Sequence, residues 1–172
     1  MGLLIPGVLG SAPRPSFNDG FMFVFIDERT ERTFNGPPFD RSLYAGVVDR
    51  CRELGAKGVV IKLFLDREHT ESGDQALAGA MARLPVIMQA RIEPQTGRPD
   101  DLPVKFVFEP RTLPTAEQGD RGWLPIPRLA AVAADIGFVD FAGENIPLLE
   151  VYRGKTYKSV VVCALELQSG AR

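Results

Sequence analysis

Three short clusters set acids beside bases at the ends of apolar runs: Asp27 with Glu28 and Arg29, Asp66 with Arg67 and His69, and Arg91 with Glu93. Guanidinium groups at Arg29, Arg67 and Arg91 suit a carboxylate or phosphate, because paired N–H donors match two oxygens at once. A rim of this kind fits a small polar or anionic ligand; the same residues also read as solvated loop charges that balance one another. Asp27 and Asp66 together offer an acid–base pair for a small enzyme. The chain has one histidine and neither a G-x-S-x-G nor a Walker pattern, so hydrolases and nucleotide-transferring enzymes lack their parts. Lys62 interrupts an apolar run and shares a face with Phe64 on period-2 alternation. A lone buried ammonium is costly, so the spacing predicts a Lys62–Asp27 ion pair, with ligand contact or a side chain reaching water as alternatives. Trp123, the single tryptophan, lies among Arg121, Gly122, Leu124 and Pro125. It reads as a lid or interface anchor, or as an aromatic cap pinning a long loop. Asp66, Glu68 and His69 match no standard metal spacing, and neither metal nor cofactor is expected.

Parallel strands with crossover helices are the elements that would bring such clusters together. Residues 21–26 form an apolar run with β bias, suiting a strand buried on both faces. Asp40 stands where a helix N-cap belongs, Leu43, Tyr44, Val47, Val48, Cys51 and Leu54 follow at helical spacing, and Gly55 marks the C-cap. Residues 59–65 read as a second strand, 66–73 as a charged loop, and Ala76, Leu77, Ala80, Met81 and Leu84 as a second helical stripe ended by Pro85. Residues 86–92 read as a third strand, and the right-handed crossover rule makes the three strands neighbours. Their carboxyl ends are where an open parallel sheet takes its ligand.

The second half predicts a strand over 104–108, a long loop over 110–124 and a helix over 127–135. Two joined strands follow, over 137–141 and 146–152. Residues 159–168 carry signals for both states: Ser159 is placed to cap a helix, while Val160, Val161 and Val162 favour a strand; the helix is preferred. The expected fold class is α/β, a mainly parallel, mixed sheet flanked by helices on both faces. Residues 1–20 are read as an N-terminal extension, 21–168 as one domain and 169–172 as a tail.

Composition excludes several function classes. The 172 residues carry 20 Lys plus Arg against 22 Asp plus Glu, a net charge of -2, so there is no electrostatic footprint for nucleic acid. The apolar start is interrupted by Pro6 and lacks basic residues ahead of it, and no run reaches the roughly 18 apolar residues of a membrane helix. Cys51 and Cys163 fit neither metal nor redox spacing and are expected to be inert and buried.

The order of the punctuating residues resembles the CHASE sensory domains of the second type. Phe25-Ile26-Asp27-Glu28-Arg29-Thr30 is similar to that family's first strand ending in an Asp. Gly36-Pro37-Pro38-Phe39-Asp40-Arg41 resembles its helix opening, and Leu54-Gly55-Ala56 with Val59-Val60-Ile61 and Phe64 its helix end and second strand. Gly73-Asp74 with Leu77 resembles the entry to its second helix, and Gly137-Phe138-Val139, Pro147-Leu148-Leu149 and Tyr157-Lys158-Ser159 its closing motifs. The likeness spans residues 21–167. Three positions depart from it: Lys62 stands where the family carries Asp, the closing hairpin lacks an Arg, and Lys158 replaces a common Pro. The resemblance implies a non-enzymatic, extracytoplasmic input domain of bacterial signalling. Its partners would be an unknown small ligand or protein and an output module, and membrane attachment would come only through flanking segments. The alternatives from the residues are a free-standing binding or scaffolding domain that self-associates as a homodimer, and the Asp27/Asp66 enzyme.

Overall fold

The computed structural model describes residues 20–109 and 118–170, in two units, 1–37 and 38–172. Most of the N-terminal extension, residues 110–117 of the predicted long loop and the last two residues of the tail lie outside the described residues.

The first unit corrects the first predicted strand. Residues 21–27 have no strand assignment, and Met22, Phe23, Val24 and Phe25 are 62–77% exposed. Apolar periodicity reports that a segment favours leaving water; it does not supply the partner whose N–H and C=O groups make a strand. Asp27 therefore ends no strand. It caps helix α1 (Glu28–Thr33), accepting from the Thr30 N–H at 2.8 Å and the Thr30 hydroxyl at 2.8 Å. These bonds hold its carboxyl below the usual range.

The second unit is built on strand β2 (Val86–Ile92), whose first five residues are all buried and so are covered on both faces. β1 (Val59–Ile61) lies along one edge in parallel, Val59 opposite Val86, and β5 (Asp135–Phe138) along the other, Ile87 opposite Asp135. β5 thus takes the third parallel place. At its carboxyl end β2 also pairs antiparallel with β4 (Gly122–Trp123), which makes the sheet mixed as expected. β1 stops at Ile61, three residues into the predicted strand, and Lys62 follows on the surface.

Helix α2 (Arg41–Glu53) begins where the cap signal placed it, Asp40 accepting from the Ser42 N–H at 2.9 Å. α3 (Glu71–Met81) is capped by Thr70 and packs on α2, burying Ala45, Val48 and Cys51 against Leu77, Ala80 and Met81. Each such fully buried Leu, Val or Met contributes roughly 1.5–3 kcal/mol. Residues 104–106 form a 3-10 turn rather than a strand, and α4 (Pro127–Val132) ends three residues before β5 begins.

A second sheet closes the unit. β3 (Gln118–Gly119) pairs in parallel with β6 (Leu149–Tyr152), and β6 pairs antiparallel with β7 (Lys155–Lys158). The hairpin lies later than predicted. Its two-residue turn, Arg153 and Gly154, has φ of 49° and 71°, the left-handed pair that matches strand twist. Tyr152 and Tyr157 join Phe138 of the first sheet with ring centroids 5.6–5.7 Å apart. Ser159 caps α5 (Val160–Ser169), so the helical preference held over the strand one.

Candidate functional site

Alternation along β2 turns Arg91 outward while its neighbours Ala90 and Ile92 are buried. Register places Trp123 of β4 directly opposite Arg91, so the guanidinium carbon sits 5.6 Å from the indole centroid. Trp123 is therefore part of a strand and not of an irregular loop. Its ring meets Phe64 edge-on at 5.0 Å, and its Nε1–H donates to the Thr96 hydroxyl at 3.0 Å. Two of the predicted ligand residues, Arg91 and Trp123, are thus brought together at the carboxyl end of β2, with Phe64 arriving from beyond β1.

Beneath Arg91 lies a carboxylate that the sequence reading passed over. Asp140, two residues past β5, is 5% exposed, with its Oδ1 3.6 Å from the Arg91 Nε. Its Oδ2 accepts the Ile92 N–H at 3.0 Å; Glu150 in β6 is fully buried as well. Burial pushes the Asp140 carboxyl above the usual carboxylate range, overriding the Ile92 N–H and Arg91, which pull it down. Asp140 and Glu150 gave little signal because each is an ordinary acid in a loop or strand until the two sheets meet.

The predicted cluster around Asp66 is organised differently. Asp66 and Arg67 face each other at 3.9 Å with Arg67 88% exposed, a pair that contributes little. The loop they sit in is fastened by Arg41, whose guanidinium donates to the Arg67 carbonyl and pairs with Asp74 at 2.7 Å. Asp74 also accepts the His69 N–H at 3.3 Å, and Asp40 accepts the Thr70 hydroxyl at 2.6 Å. Hydrogen bonds from Ser42 and Thr70 hold the Asp40 carboxyl down to about 2. Arg41 and Asp74 are structural residues that sequence reasoning quoted only as motif positions. Among the described residues no group of three or more acids, histidines and cysteines could hold a metal.

Lys62 is exposed, so its ammonium stays in water and the physical need for a buried partner falls away. The Asp27 carboxylate is engaged by Thr30 within the first unit. The enzyme reading required Asp27 at a strand end beside Asp66, and Asp27 is instead a helix cap. Arg29 lies in α1 and is exposed. Lys158, singled out as a departure, is an ion-pair hub: its Nζ contacts Asp135 at 2.8 Å and Glu166 at 2.6 Å, tying α5 to β5. Both cysteines are buried, and burial pushes the Cys163 thiol up to about 12, which keeps it inert.

A shallow cavity of about 280 Å³ opens elsewhere, between Leu102, Val104, Leu124, Pro125 and Ala130. The acids at its rim are already engaged, Asp100 by Arg98 at 3.3 Å and Asp101 by Arg153 at 3.1 Å. The cluster at β2 has the better chemistry, since a half-exposed guanidinium meets both an aromatic face and a buried acid.

Comparison with protein families matches the CHASE2 domain over residues 8–155. No curated protein and no solved structure matches the chain.

Proposed function

The chain belongs to the CHASE2 domain family, and from that premise we propose that it is a non-enzymatic sensing module that takes a small polar or anionic ligand at the carboxyl end of β2. Domains of this family are extracytoplasmic sensory inputs to signal-transduction proteins. Among the described residues no helix is long and apolar enough to cross a membrane. Membrane attachment and the output module are assigned to flanking sequence.

The observation that carries this reading is the position of Arg91. Its side chain is 48% exposed and is held between the Trp123 ring and the Asp140 carboxylate. An incoming carboxylate or phosphate gains a guanidinium already oriented by the indole, and competes with Asp140 for it. Arg67, exposed on the loop after β1, is a second anion contact on this reading, with Asp66 beside it. Binding would be felt by the Ile92 N–H through Asp140, which links the mouth to the central strand.

The test is a titration of the Trp123 emission with inorganic phosphate and a panel of small mono- and dicarboxylates, each checked by calorimetry. Saturable quenching with matching heat, lost in Arg91→Ala, is expected. Absence of any saturable response across the panel removes the anion reading.

One observation favours a second reading, self-association. Phe23 and Phe25 are 67% and 77% exposed and their rings stack at 6.2 Å within an apolar run. Contiguous exposed apolar surface of this kind marks an interaction site. Sedimentation that shifts with concentration in the wild type, and not in Phe23→Ser/Phe25→Ser, would support it; identical monomers in both would remove it.

A further inference from the structure

We propose that two copies of this chain exchange strands: residues 22–26 of each copy add in parallel to the open edge of β1 in the other. Strand exchange rests on the self-association reading and names the surface that receives Phe23 and Phe25. It is independent of anion binding at Arg91.

The donor is an exposed, extended segment. The Phe23 and Phe25 rings stack with an interplanar angle of 21°, so residues i and i+2 share one side, as in a β-strand. Met22, Val24 and Ile26 then fall on the other side. The segment is apolar on both faces, the pattern of a strand that is covered on both.

The acceptor is an edge. Among the described residues β1 pairs with β2 alone. The Val59 N–H donates to the Pro85 carbonyl at 2.9 Å, on the β2 side. Successive residues of a strand alternate, so Val60 directs its N–H and C=O away from β2. Such an edge is a template for one more strand.

Helix α2 shows that apolar cover is waiting there. At 3.6 residues per turn, Leu43, Val47 and Leu54 lie along one flank of its apolar stripe. Ala45, Val48 and Cys51, further round, are buried against α3, whereas Leu43 and Val47 are half-buried and Leu54 is 62% exposed. α2 packs beside α3, the crossover from β1 to β2. By the right-handed rule, a strand paired ahead of α2 belongs beyond β1, on the side away from β2. That place is the open edge, and an apolar strand in it gives the bare flank something to cover.

The hinge points to a second copy as donor. Asn35 and Gly36 have φ of 62° and 76°, and Pro37-Pro38 follow, a short and stiff link of the kind that invites exchange between copies. Donor and acceptor lie on the same chain, so reciprocal exchange closes as a two-fold dimer. Parallel strands end together, so Asp27 and Arg29 of one copy arrive at the end of the sheet where Asp66 and Arg67 of the other stand.

The experiment uses the full chain. Phe23→Cys and Val24→Cys, which sample both faces of the donor strand, are each mixed with Val60→Cys under mild oxidation; the native cysteines are buried. A disulfide between copies is expected in at least one mixture, together with concentration-dependent sedimentation of the wild type. Val60→Pro removes only the outward N–H and should raise the dimer dissociation constant by about tenfold. A wild type that stays monomeric at every concentration removes self-association and strand exchange together. Dimers that persist in Val60→Pro and form no disulfide between copies overturn strand exchange and leave self-association standing. A disulfide closed within one monomeric chain carrying both Val24→Cys and Val60→Cys also overturns it.

Discussion

Arg41, the first residue of α2, donates to Asp74 in the first turn of α3 across 2.7 Å, with both side chains 5% exposed. A cation at a helix N-terminus opposes the helix dipole, whereas an acid there complements it. The pair places the unfavourable charge of one helix on the favourable charge of the next, and Arg41 spends a further N–H on the Arg67 carbonyl.

Removing one partner leaves the other charge buried. Asp74→Leu and Arg41→Met should each lower unfolding free energy in urea by about 3–5 kcal/mol, and the double variant should recover part of the loss. Equal and additive losses would show that the two side chains are not coupled.

Gly137 has no room for a side chain. A Cβ there would lie 2.4 Å from the Val160 Cα and 2.5 Å from its N, where α5 crosses β5. Backbone cannot step aside as a side-chain end can, so Gly137→Ala should destabilise by roughly 1–3 kcal/mol. Thermal melts would check it, and an unchanged midpoint would mean that α5 does not sit this close.

Lys158 makes a pH prediction of its own. Burial works against its ammonium, but the hydrogen bonds to Asp135 and Glu166 outweigh that, and its pKa is raised. Because the folded value is the higher one, its contribution is present at neutral pH and is lost only as pH rises through the folded value, above about 10.5. Lys158→Met should cost about 3 kcal/mol at pH 7, since Asp135 is left buried without its cation. Stability curves that coincide at neutral pH would remove the hub.

Local signals carried much of this fold. Asp40 before Arg41 marked the start of α2, the apolar run at 86–92 marked the central strand, and the outward turn of Arg91 followed from alternation. Non-local facts were out of reach. Residues 21–26 are apolar and β-prone while Asp135-Ile136-Gly137-Phe138 carries an Asp and a Gly, so the choice of β5 as the third parallel neighbour depends on a chain path that periodicity does not encode. The exposure of Lys62, one of the alternatives open for it, has a related cause: β1 ends one residue before it, which puts on the surface a side chain that a longer strand would have buried. Arg91 and Trp123 were recognisable singly as an anion-binding type and a lone aromatic. Their adjacency came from an antiparallel pairing across 32 positions, and the burial of Asp140 and Glu150 from the meeting of two sheets.

The most direct measurement is a nitrogen-15 NMR titration of the chain with inorganic phosphate and small carboxylates, following the Trp123 indole and the Ile92 amide. The account predicts that at least one of these anions moves both signals saturably and together, because Arg91 touches the indole on one side and the acid holding Ile92 on the other. Arg91→Ala should abolish both movements while leaving the remaining spectrum folded. Shifts confined to other residues, or identical shifts in Arg91→Ala, would contradict a sensing mouth at the end of β2.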